Sequence, residues 1–236
     1  LYSALAEINT MDQKIITVED PVEYRLPGIN QVQVNEKIDL TFSRVLRSAL
    51  RQDPDVILVG EMRDAETAQI GLRAAMTGHL VFSTLHTRDA AGTLFRLVDM
   101  GTPRYMVASS VQAIIAQRLL RAVCGSCCEP HSPTPQEAEW LLVEGVTPDI
   151  YGNLQHGRGC SHCNGTGYRG RMGVYEMLEM NRDMVAAAAH DDANHFTEVA
   201  NLQLQGKTIL FHAMEQMKLG RTTVSEVMRI SNQVED

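Results

Sequence analysis

Aromatic residues and long apolar runs are scarce in this chain of 236 residues. Only 5% of the residues are aromatic, and no stretch approaches the roughly 18 apolar residues that a membrane-spanning helix needs. An excess of positive charge is also missing, because 29 acidic residues outnumber 21 basic ones and give a net charge of −8. These absences exclude an integral membrane protein and a global electrostatic footprint for nucleic acid. The hydrophobic share of 44% is ordinary for a globular protein and excludes intrinsic disorder.

The five cysteines stand in a sequence without a secretory signal pattern. Disulfides are rare in the cytosol, where clustered cysteines more often bind a metal or take part in catalysis. We therefore expect a cytoplasmic protein with reduced cysteines. The first residues, LYSAL, are apolar at helical spacing with no Met and no capping residue ahead of them. This pattern predicts a fragment that begins inside a helix.

Short β-branched runs alternate with helical patterns in the first half of the chain. The runs IITV (15–18), VILV (56–59) and LVFSTL (80–85) are typical of strands covered on both faces of a parallel sheet. Val32 and Val34 indicate an outer, more antiparallel strand. Helical periodicity covers four further segments: 42–50, 64–76, 89–100 and 103–121. The predicted fold class is therefore α/β.

The composition changes near Val123, where Cys, Gly, Pro and His begin to cluster. A short helix is predicted from 135 to 144, because Thr134 and Glu137 have the spacing of a capping box. From Met184 onward the pattern is helical again. These changes predict three regions: an α/β core at 1–122, a cysteine-containing subdomain at 123–171 and a helical region at 172–236.

Four of the cysteines form two Cys-x-x-Cys pairs, Cys124 with Cys127 and Cys160 with Cys163, separated by 32 residues. Each pair lets two thiolates converge from one tight turn, and four thiolates supply the tetrahedral shell that Zn²⁺ prefers. Glycines beside the second pair favour the unusual turn conformations that such a site needs. The sequence therefore predicts a structural zinc site.

Two other interpretations of these cysteines stay open at this point. The four thiols are either unrelated buried residues, or one pair is a redox centre. Neither pair lies at a strand-to-helix turn, which argues against the redox interpretation. The fifth cysteine, Cys128, either substitutes as a ligand or is an idle thiol, and His162 is expected to face solvent.

Ionisable residues follow each of the three predicted strands. Glu19, with Asp20 and Glu23, follows the first strand, Glu61 the second and His86 the third. In a parallel α/β sheet the carboxyl ends of the strands line the ligand crevice. Carboxylates there can hold Mg²⁺ through its water shell, or orient a water molecule and take its proton. Each residue alone is better explained by a solvated loop charge or a helix cap, but their combination at three consecutive strand ends favours a nucleotide site.

Five segments resemble, in order, the motifs of the secretion-type (traffic) ATPases. ITVEDPVEY (16–24) resembles their Asp box, residues 46–68 around VILVGEMRDAETA resemble their Walker B region, and TGHLVFSTLHTRDA (77–90) resembles their His box. AQRLLRAVCGSC (116–127) and GCSHCNGTGYRGRMGVYEML (159–178) are similar to the tetracysteine element of the type II secretion and type IV pilus assembly branch.

This resemblance implies a RecA-like, parallel-core ATPase domain truncated at its N-terminus, with a tetracysteine zinc subdomain and a C-terminal helical region. Within the family the motifs are most similar to pilus extension ATPases of the mannose-sensitive haemagglutinin type. Retraction-type members typically lack the four cysteines, so assembly is favoured over retraction.

The resemblance also implies roles for the acidic residues. Glu61 matches the Walker B glutamate that activates the attacking water. Gly60 stands where other Walker B motifs carry Asp, so Mg²⁺ would rely on other groups. Glu19, Asp20 and Glu23 match the acidic Asp-box positions near the metal and the water.

His79 and His86 match the His box, and His86 is the better candidate for sensing the nucleotide. Four arginines become candidates for stabilising charge within a subunit or across a subunit boundary: Arg47, Arg51, Arg118 and Arg121. The implied assembly is a homo-hexamer in the cytoplasm. It would be peripheral to the inner membrane through a platform protein and would have no specific nucleic-acid partner.

One family motif does not occur in the chain. The P-loop pattern G-x-x-x-x-G-K-[ST] is absent, and the pair Gly206-Lys207 lacks the upstream glycine that the pattern requires. In the family the P-loop directly precedes the segment that LYSAL resembles. We therefore expect a parent protein that hydrolyses ATP with Mg²⁺, and a fragment that binds ATP weakly without turnover. Arg88 is a smaller departure, because the His box more often carries Asn there.

Two alternative functions come from other classes. The chain is, alternatively, a non-catalytic zinc-containing interaction module derived from the ATPase family. A zinc-ribbon nucleic-acid binder is weakened by the net charge of −8, although Arg158, Arg169 and Arg171 surround the second cysteine pair. Steeply salt-dependent DNA binding would favour that third hypothesis.

Overall fold

The computed structural model describes residues 1–87 and 89–235, apart from the side chains of 232–235. Arg88, the departure in the His box, lies outside the described residues. The chain divides into two compact units. The first unit comprises residues 1–87, 91–114 and 179–199, and the second comprises residues 89–90, 115–178 and 200–235.

The described strands are β1 (Ile15–Glu19), β2 (Asn30–Gln33), β3 (Val56–Val59), β4 (Leu80–Ser83), β5 (Ala113–Val123), β6 (Cys128–Pro130), β7 (Gln155–Gly157) and β8 (Tyr168–Glu179). The described helices are α1 (Tyr2–Ile8), α2 (Phe42–Ala49), α3 (Ala65–Met76), α4 (Ala90–Asp99), α5 (Arg104–Ser110), α6 (Pro135–Val143), α7 (Arg182–Ala189), α8 (Ala193–Leu204), α9 (Ile209–Lys218) and α10 (Val224–Glu235).

The first unit is built on a four-stranded parallel sheet with the order β2-β1-β3-β4. Every residue of the central strands β1 and β3 is buried, as their uniformly apolar runs predict. This confirms the predicted α/β class with a parallel core. The third apolar run does not match the prediction of a strand covered on both faces, because β4 is an edge strand whose residues are exposed or only half-buried.

The structure corrects the orientation expected around Val32. Strand β2 pairs with β1 in parallel, with Val18 opposite Val32, whereas an antiparallel segment was predicted. Parallel neighbours need a connection that crosses back over the sheet. Residues 20–29 provide it, and this connection contains the acidic residues that follow β1.

Helices cover both faces of this sheet. Leu5 of α1 packs with Ile15, Val56 and Leu58 on one face. On the other face Val45 of α2 packs with Val18 and Val34. The N-caps of α2 and α3 are Thr41 and Asp64, whose side chains accept the backbone N–H of Arg44 and Thr67.

The helix predicted for 103–121 is wrong beyond Ser110, because β5 follows α5 directly. Burial alternates along β5, with Ile114, Ala116 and Leu120 buried between exposed neighbours, which is the period of a strand. The partner of β5 is β8, a strand about fifty residues farther along the chain that local patterns did not predict.

The second unit contains the cysteine pairs and the hairpin between them. Strands β6 and β7 pair in antiparallel fashion, with Cys128 opposite Gly157. Helix α6 begins with the predicted capping box of Thr134 and Glu137, which confirms that prediction. No helix among the described residues combines the length and the apolar character needed to cross a membrane.

Candidate nucleotide and metal sites

The sheet of the first unit has a topological switch point between β1 and β3. The chain leaves β1 toward β2 on one side, and β3 and β4 lie on the other side. Ligands of open α/β sheets bind outside the carboxyl ends of the strands at such a point. Glu19 ends β1, and Glu61 follows β3 by two residues. The structure therefore brings the two predicted carboxylates to neighbouring strand ends at the switch point.

Gly60 holds the segment of Glu61 close to both adjoining strands. Its N–H donates to the carbonyl of Val18 at 2.7 Å, and its own carbonyl accepts the hydroxyl of Thr84 at 2.6 Å. A Cβ atom at this position would lie 3.2 Å from the Val18 carbonyl oxygen and 3.4 Å from the Cα of Glu19. A larger residue such as Asp would therefore crowd β1, which gives a packing reason for Gly beside Glu61.

The side chain of Glu61 is largely buried and contacts two exposed side chains, those of Arg63 and His86. Its Oε1 lies 2.5 Å from Nη2 of Arg63, and its Oε2 lies 3.4 Å from Nε2 of His86. The Glu61 side chain is 13% exposed, against 63% for Arg63 and 90% for His86. The hydrogen bond from Arg63 is the main cause that lowers the pKa of Glu61. Glu61 is therefore ionised at neutral pH and able to accept a hydrogen bond from water.

Glu19 is buried and satisfied by neutral donors. The hydroxyl of Tyr2 donates to its Oε2, and the hydroxyl of Thr17 and the amide of Gln31 donate to its Oε1, the last at 3.3 Å. Among the described ion pairs, none includes Glu19. A carboxylate held this way has its orientation at the strand end fixed by its donors.

The other two acidic candidates lie in the connection after β1 and are exposed. The backbone N–H of Glu23 donates to the hydroxyl of Tyr2 at 3.3 Å. The pKa of Arg63 is raised first by Glu61 and to a smaller extent by the charge of Asp20. Asp20 and Glu61 therefore act on the same guanidinium. Exposed carboxylates of this kind fit Mg²⁺, which binds oxygen ligands and keeps much of its water.

His79 is not brought to this edge of the sheet. It directly precedes β4, whereas Glu61 and His86 follow the carboxyl ends of β3 and β4. Its Nδ1 lies 3.0 Å from the carbonyl of Ala74 and 3.2 Å from the hydroxyl of Thr77. These contacts tie His79 to the C-terminal end of α3.

The two cysteine pairs converge in the second unit. The Sγ atoms of Cys124, Cys127, Cys160 and Cys163 all lie within 4.8 Å of one another. Individual Sγ–Sγ distances are 4.0 Å for Cys124–Cys160, 3.8 Å for Cys127–Cys163 and 3.7 Å for Cys160–Cys163. Four sulfurs at the Zn–S distance of about 2.3 Å in a tetrahedron lie about 3.8 Å apart. The four cysteines therefore fit a zinc ion.

Backbone groups support the sulfur cluster. The N–H groups of Cys160 and Gly167 each donate to Sγ of Cys163 at 3.2 Å. Burial raises the pKa of Cys163, but these two hydrogen bonds and the neighbouring thiols outweigh it and bring the pKa to about 6. Gly167 also accepts the N–H of Cys124 at 2.9 Å. One glycine thus contacts both pairs.

Cys128 and His162, which stand beside or within the cysteine pairs in the sequence, lie outside the cluster. Cys128 is exposed and its thiol donates to Oε1 of Gln155 at 3.2 Å. The ring of His162 is exposed, with Nδ1 3.3 Å from Nη1 of Arg169. Among the described residues, the four paired cysteines are the one cluster of three or more His, Cys, Asp or Glu side chains that lie close enough together to hold a metal ion.

The motifs and the architecture agree with a known family. Residues 1–229 match the family described as "Type II/IV secretion system protein". The chain belongs to this family. It is 46% identical over 237 residues to "Type II secretion system protein E" of Pectobacterium carotovorum, covering 99% of this chain and 46% of that protein. It is 43% identical over 230 residues to "Type IV pilus assembly ATPase PilB" of Myxococcus xanthus, covering 97% of this chain and 40% of that protein.

The fold also matches solved structures. A crystal structure of "the Pilus Retraction Motor PilT and Bound ADP" superposes with a TM-score of 0.69 at 30% identity, over 97% of this chain and 56% of that one. The Legionella pneumophila ATPase DotB, with a TM-score of 0.67 at 23% identity over 98% of this chain and 55% of that one, shows the same fold. The chain spans about half the length of the curated relatives it matches.

The four candidate arginines differ in their contacts and in their exposure to solvent. Arg47 of α2 pairs with Glu66 of α3 at 2.5 Å, and both side chains are exposed. Arg51 is exposed just after α2, and Arg118 lies half-buried on β5. Arg121 is the most engaged, since its guanidinium bonds a buried carboxylate, Glu226, at 2.6 Å.

Sequence reasoning missed four residues that contact the predicted carboxylates: Tyr2, Thr17, Gln31 and Arg63. Two of them had a local signal. Thr17 and Arg63 lie two residues from Glu19 and Glu61, and side chains two apart in extended backbone share a face. Tyr2 and Gln31 had none, because α1 and β2 reach Glu19 only once the sheet has formed.

Proposed function

We propose that this chain is the C-terminal motor part of a hexameric ATPase that powers type II protein secretion or type IV pilus assembly. The complete protein would lie in the cytoplasm, peripheral to the inner membrane through a platform protein. Membership of the family supports this proposal. The observation that carries it is the ionised Glu61, 3.4 Å from His86 and next to the strand that ends in Glu19.

The residues of the switch point would divide the work of hydrolysis. When bound, ATP with Mg²⁺ supplies the phosphoryl group to be transferred and a cation that balances its charge. Glu61 would orient the attacking water and accept its proton. Asp20 and Glu23 would hold water molecules around the metal, and His86 would donate a hydrogen bond to the phosphate end of the nucleotide.

Charge stabilisation would come from arginines. Arg63 already lies against Glu61 and is mostly exposed, so it is free to turn toward a phosphate. Arg47 and Arg51 are exposed candidates for a contact with a neighbouring subunit. Arg121 is a weaker candidate, since its guanidinium would have to leave Glu226, and Arg118 is less exposed than Arg47 and Arg51.

The tetracysteine cluster would hold zinc in a structural role. All four sulfurs are supplied by the protein, which leaves no open coordination position of the kind a catalytic zinc keeps. The geometry of the sulfurs and the burial of three of the four cysteines support this assignment. The zinc would therefore stabilise the second unit rather than take part in hydrolysis.

The 236-residue chain by itself would bind ATP weakly and would not turn it over. Its sequence contains no P-loop pattern, and backbone N–H groups of such a loop are what cradle the phosphates. The codons upstream of Leu1 are the first thing to read. A reading frame that continues into a P-loop would supply the missing phosphate cradle.

The proposal is tested by Glu61→Gln in the complete gene product. We expect ATPase turnover to fall roughly 10²- to 10⁴-fold, because Gln cannot take a proton from water. Glu198→Gln, an exposed substitution on α8, is the matched control and should leave turnover unchanged. Steady-state phosphate release measures both, with zinc content as the check on folding.

Two outcomes would contradict parts of this proposal. A folded complete gene product without Glu61-dependent hydrolysis would favour a zinc-containing interaction module that has lost catalysis. Glu61-dependent hydrolysis by the 236-residue chain alone would overturn its expected inactivity while leaving the ATPase assignment intact.

A further inference from the structure

The hydroxyl of Tyr2 occupies a central position among groups of the proposed site. It donates to Oε2 of Glu19 and accepts the backbone N–H of Glu23 and the side-chain amide of Gln31, both at 3.3 Å. A phenol has one hydrogen to donate and two lone pairs to accept with. All of these positions are used, so the hydroxyl links α1, the end of β1, the connection after β1 and β2.

Glu19 depends on this contact more than an exposed carboxylate would. Its side chain is 4% exposed, and a buried carboxylate without enough donors is strongly disfavoured. The two remaining donors, Thr17 and Gln31, both bond Oε1. Tyr2 is therefore the donor that fixes the direction of Oε2.

The ring of Tyr2 is itself held in place. It meets the ring of Tyr24 edge to face, with the ring centroids 4.6 Å apart. Burial, followed by the hydrogen bond to Glu19, raises the pKa of Tyr2. The phenol therefore keeps its proton and remains a donor to Glu19 throughout the neutral range.

We propose that Tyr2 is a positioning residue of the nucleotide site. Its hydroxyl fixes the carboxylate of Glu19 and, through the N–H of Glu23, the connection that carries Asp20 and Glu23. This inference rests on the proposed ATPase function, and it adds a residue that acts through Glu19 without contacting the nucleotide. Substrate affinity then depends little on Tyr2, whereas turnover depends on it.

The test compares Tyr2→Phe with Tyr24→Phe. Both remove one phenolic oxygen from the same aromatic pair, but the hydroxyl of Tyr24 makes no hydrogen bond among the described residues. In the complete gene product we expect Tyr2→Phe to lower kcat roughly ten-fold with little change in KM, since small displacements of positioned groups cost turnover. Tyr24→Phe should leave both unchanged.

A double substitution shows whether Tyr2 acts through Glu19. In a Glu19→Gln background, Tyr2→Phe should lower kcat by much less than ten-fold, because the oriented carboxylate is already gone. An equal loss in both backgrounds, an unchanged kcat, or the same loss in Tyr24→Phe would overturn the inference. Gln31→Met, which removes another donor to Glu19, provides a second route should Tyr2→Phe fail to fold.

A measurement on the 236-residue chain separates this inference from the proposed function. Amide hydrogen exchange of Glu23 should accelerate in Tyr2→Phe and stay unchanged in Tyr24→Phe, whether or not any ATP is hydrolysed. Unchanged exchange alongside Glu61-dependent hydrolysis would overturn the role of Tyr2 and leave the ATPase assignment standing. Accelerated exchange without hydrolysis in the complete gene product would instead contradict the ATPase assignment.

Discussion

Glu226 is a buried carboxylate between two arginines of the second unit. Its side chain is 1% exposed. Arg121 donates to it from its backbone N–H and its guanidinium at 2.6–2.9 Å, and Arg229 donates at 3.2 Å. Arg121 also lies 4.0 Å from the centre of the Tyr168 ring. These contacts join β5, β8 and α10.

The same contacts make the stability of the folded chain depend on pH in the acid range. Burial raises the pKa of Glu226, but the hydrogen bonds from Arg121 and Arg229 outweigh it and lower the pKa from 4.5 to about 2. A carboxyl whose pKa is lower in the folded state contributes stability above its unfolded pKa. That contribution, roughly 3 kcal/mol, is lost as the pH falls from about 4.5 toward 2.

We therefore predict that Glu226→Gln flattens the acid dependence of unfolding. Urea unfolding at several pH values between 5 and 2 measures the free energy, and the wild-type chain should lose more of it than the variant. Protonation of the four clustered cysteines affects both proteins equally, so the difference between them isolates Glu226. Equal slopes would contradict the prediction, and Glu198→Gln should behave like wild type.

Among the helices and strands, the local sequence pattern predicted those whose burial and capping depend on neighbouring residues in the chain. Strands β1 and β3 are buried on both faces, as their continuous apolar runs predict. Helices α2 and α3 begin within one residue of the start of the predicted helical segments. The strand β5 was mistaken for a helix because its apolar residues also satisfy a helical spacing. Only its pairing with the distant β8 decides between the two periods.

The same distinction holds within the candidate site. The rule that carboxyl ends of parallel strands line the ligand crevice was enough to predict that Glu19, Glu61 and His86 lie at one edge of the sheet. The family resemblance alone grouped His79 with them, and His79 lies before β4 instead of after it. Tyr2 was missed because contacts between a helix and a strand end depend on how the elements pack, which spacing does not report.

Two backbone segments approach each other closely beside the tetracysteine cluster. Gly157 of β7 faces Gly167, and a Cβ on Gly157 would lie 2.0 Å from the Gly167 carbonyl oxygen. Gly167 itself has φ +77, in the left-handed region that favours glycine. Both positions therefore require glycine.

We predict that Gly157→Ala destabilises the second unit by about 1–3 kcal/mol or more, because neither backbone segment can move aside cheaply. Its zinc affinity should fall as well, since Gly167 bonds both cysteine pairs. Gly152→Ala is the control, because a Cβ there would have no atom within 4 Å. Thermal unfolding and competition with a zinc chelator measure the two effects, and equal behaviour of the two variants would contradict this account.

At the scale of the whole molecule, the two units should respond differently to loss of metal. Structural zinc sites contribute directly to folding, because the unfolded chain rarely preserves the site. We predict that a chelator speeds hydrogen exchange across residues 124–167 and leaves the parallel sheet of the first unit protected. Exchange read out by mass spectrometry, with metal content by elemental analysis, tests this.

Cysteine substitutions give the matched comparison for the zinc prediction. Cys163→Ser removes a cluster thiol and should reproduce the effect of the chelator. Cys128→Ser removes the exposed thiol outside the cluster and should retain one zinc per chain. A wild-type preparation without stoichiometric zinc, or exchange that a chelator leaves unchanged, would contradict the assignment.

The hairpin of β6 and β7 has a consequence for how this family can diversify. Cys128 pairs with Gly157, and the N–H of Arg158 bonds the carbonyl of Cys127 at 3.0 Å. The segment that separates the two cysteine pairs thus returns to the place it left. We therefore expect a change of length between β6 and β7 to leave the four cysteines in their positions. The tetracysteine cluster is thereby a fixed base from which the segment between the two cysteine pairs extends.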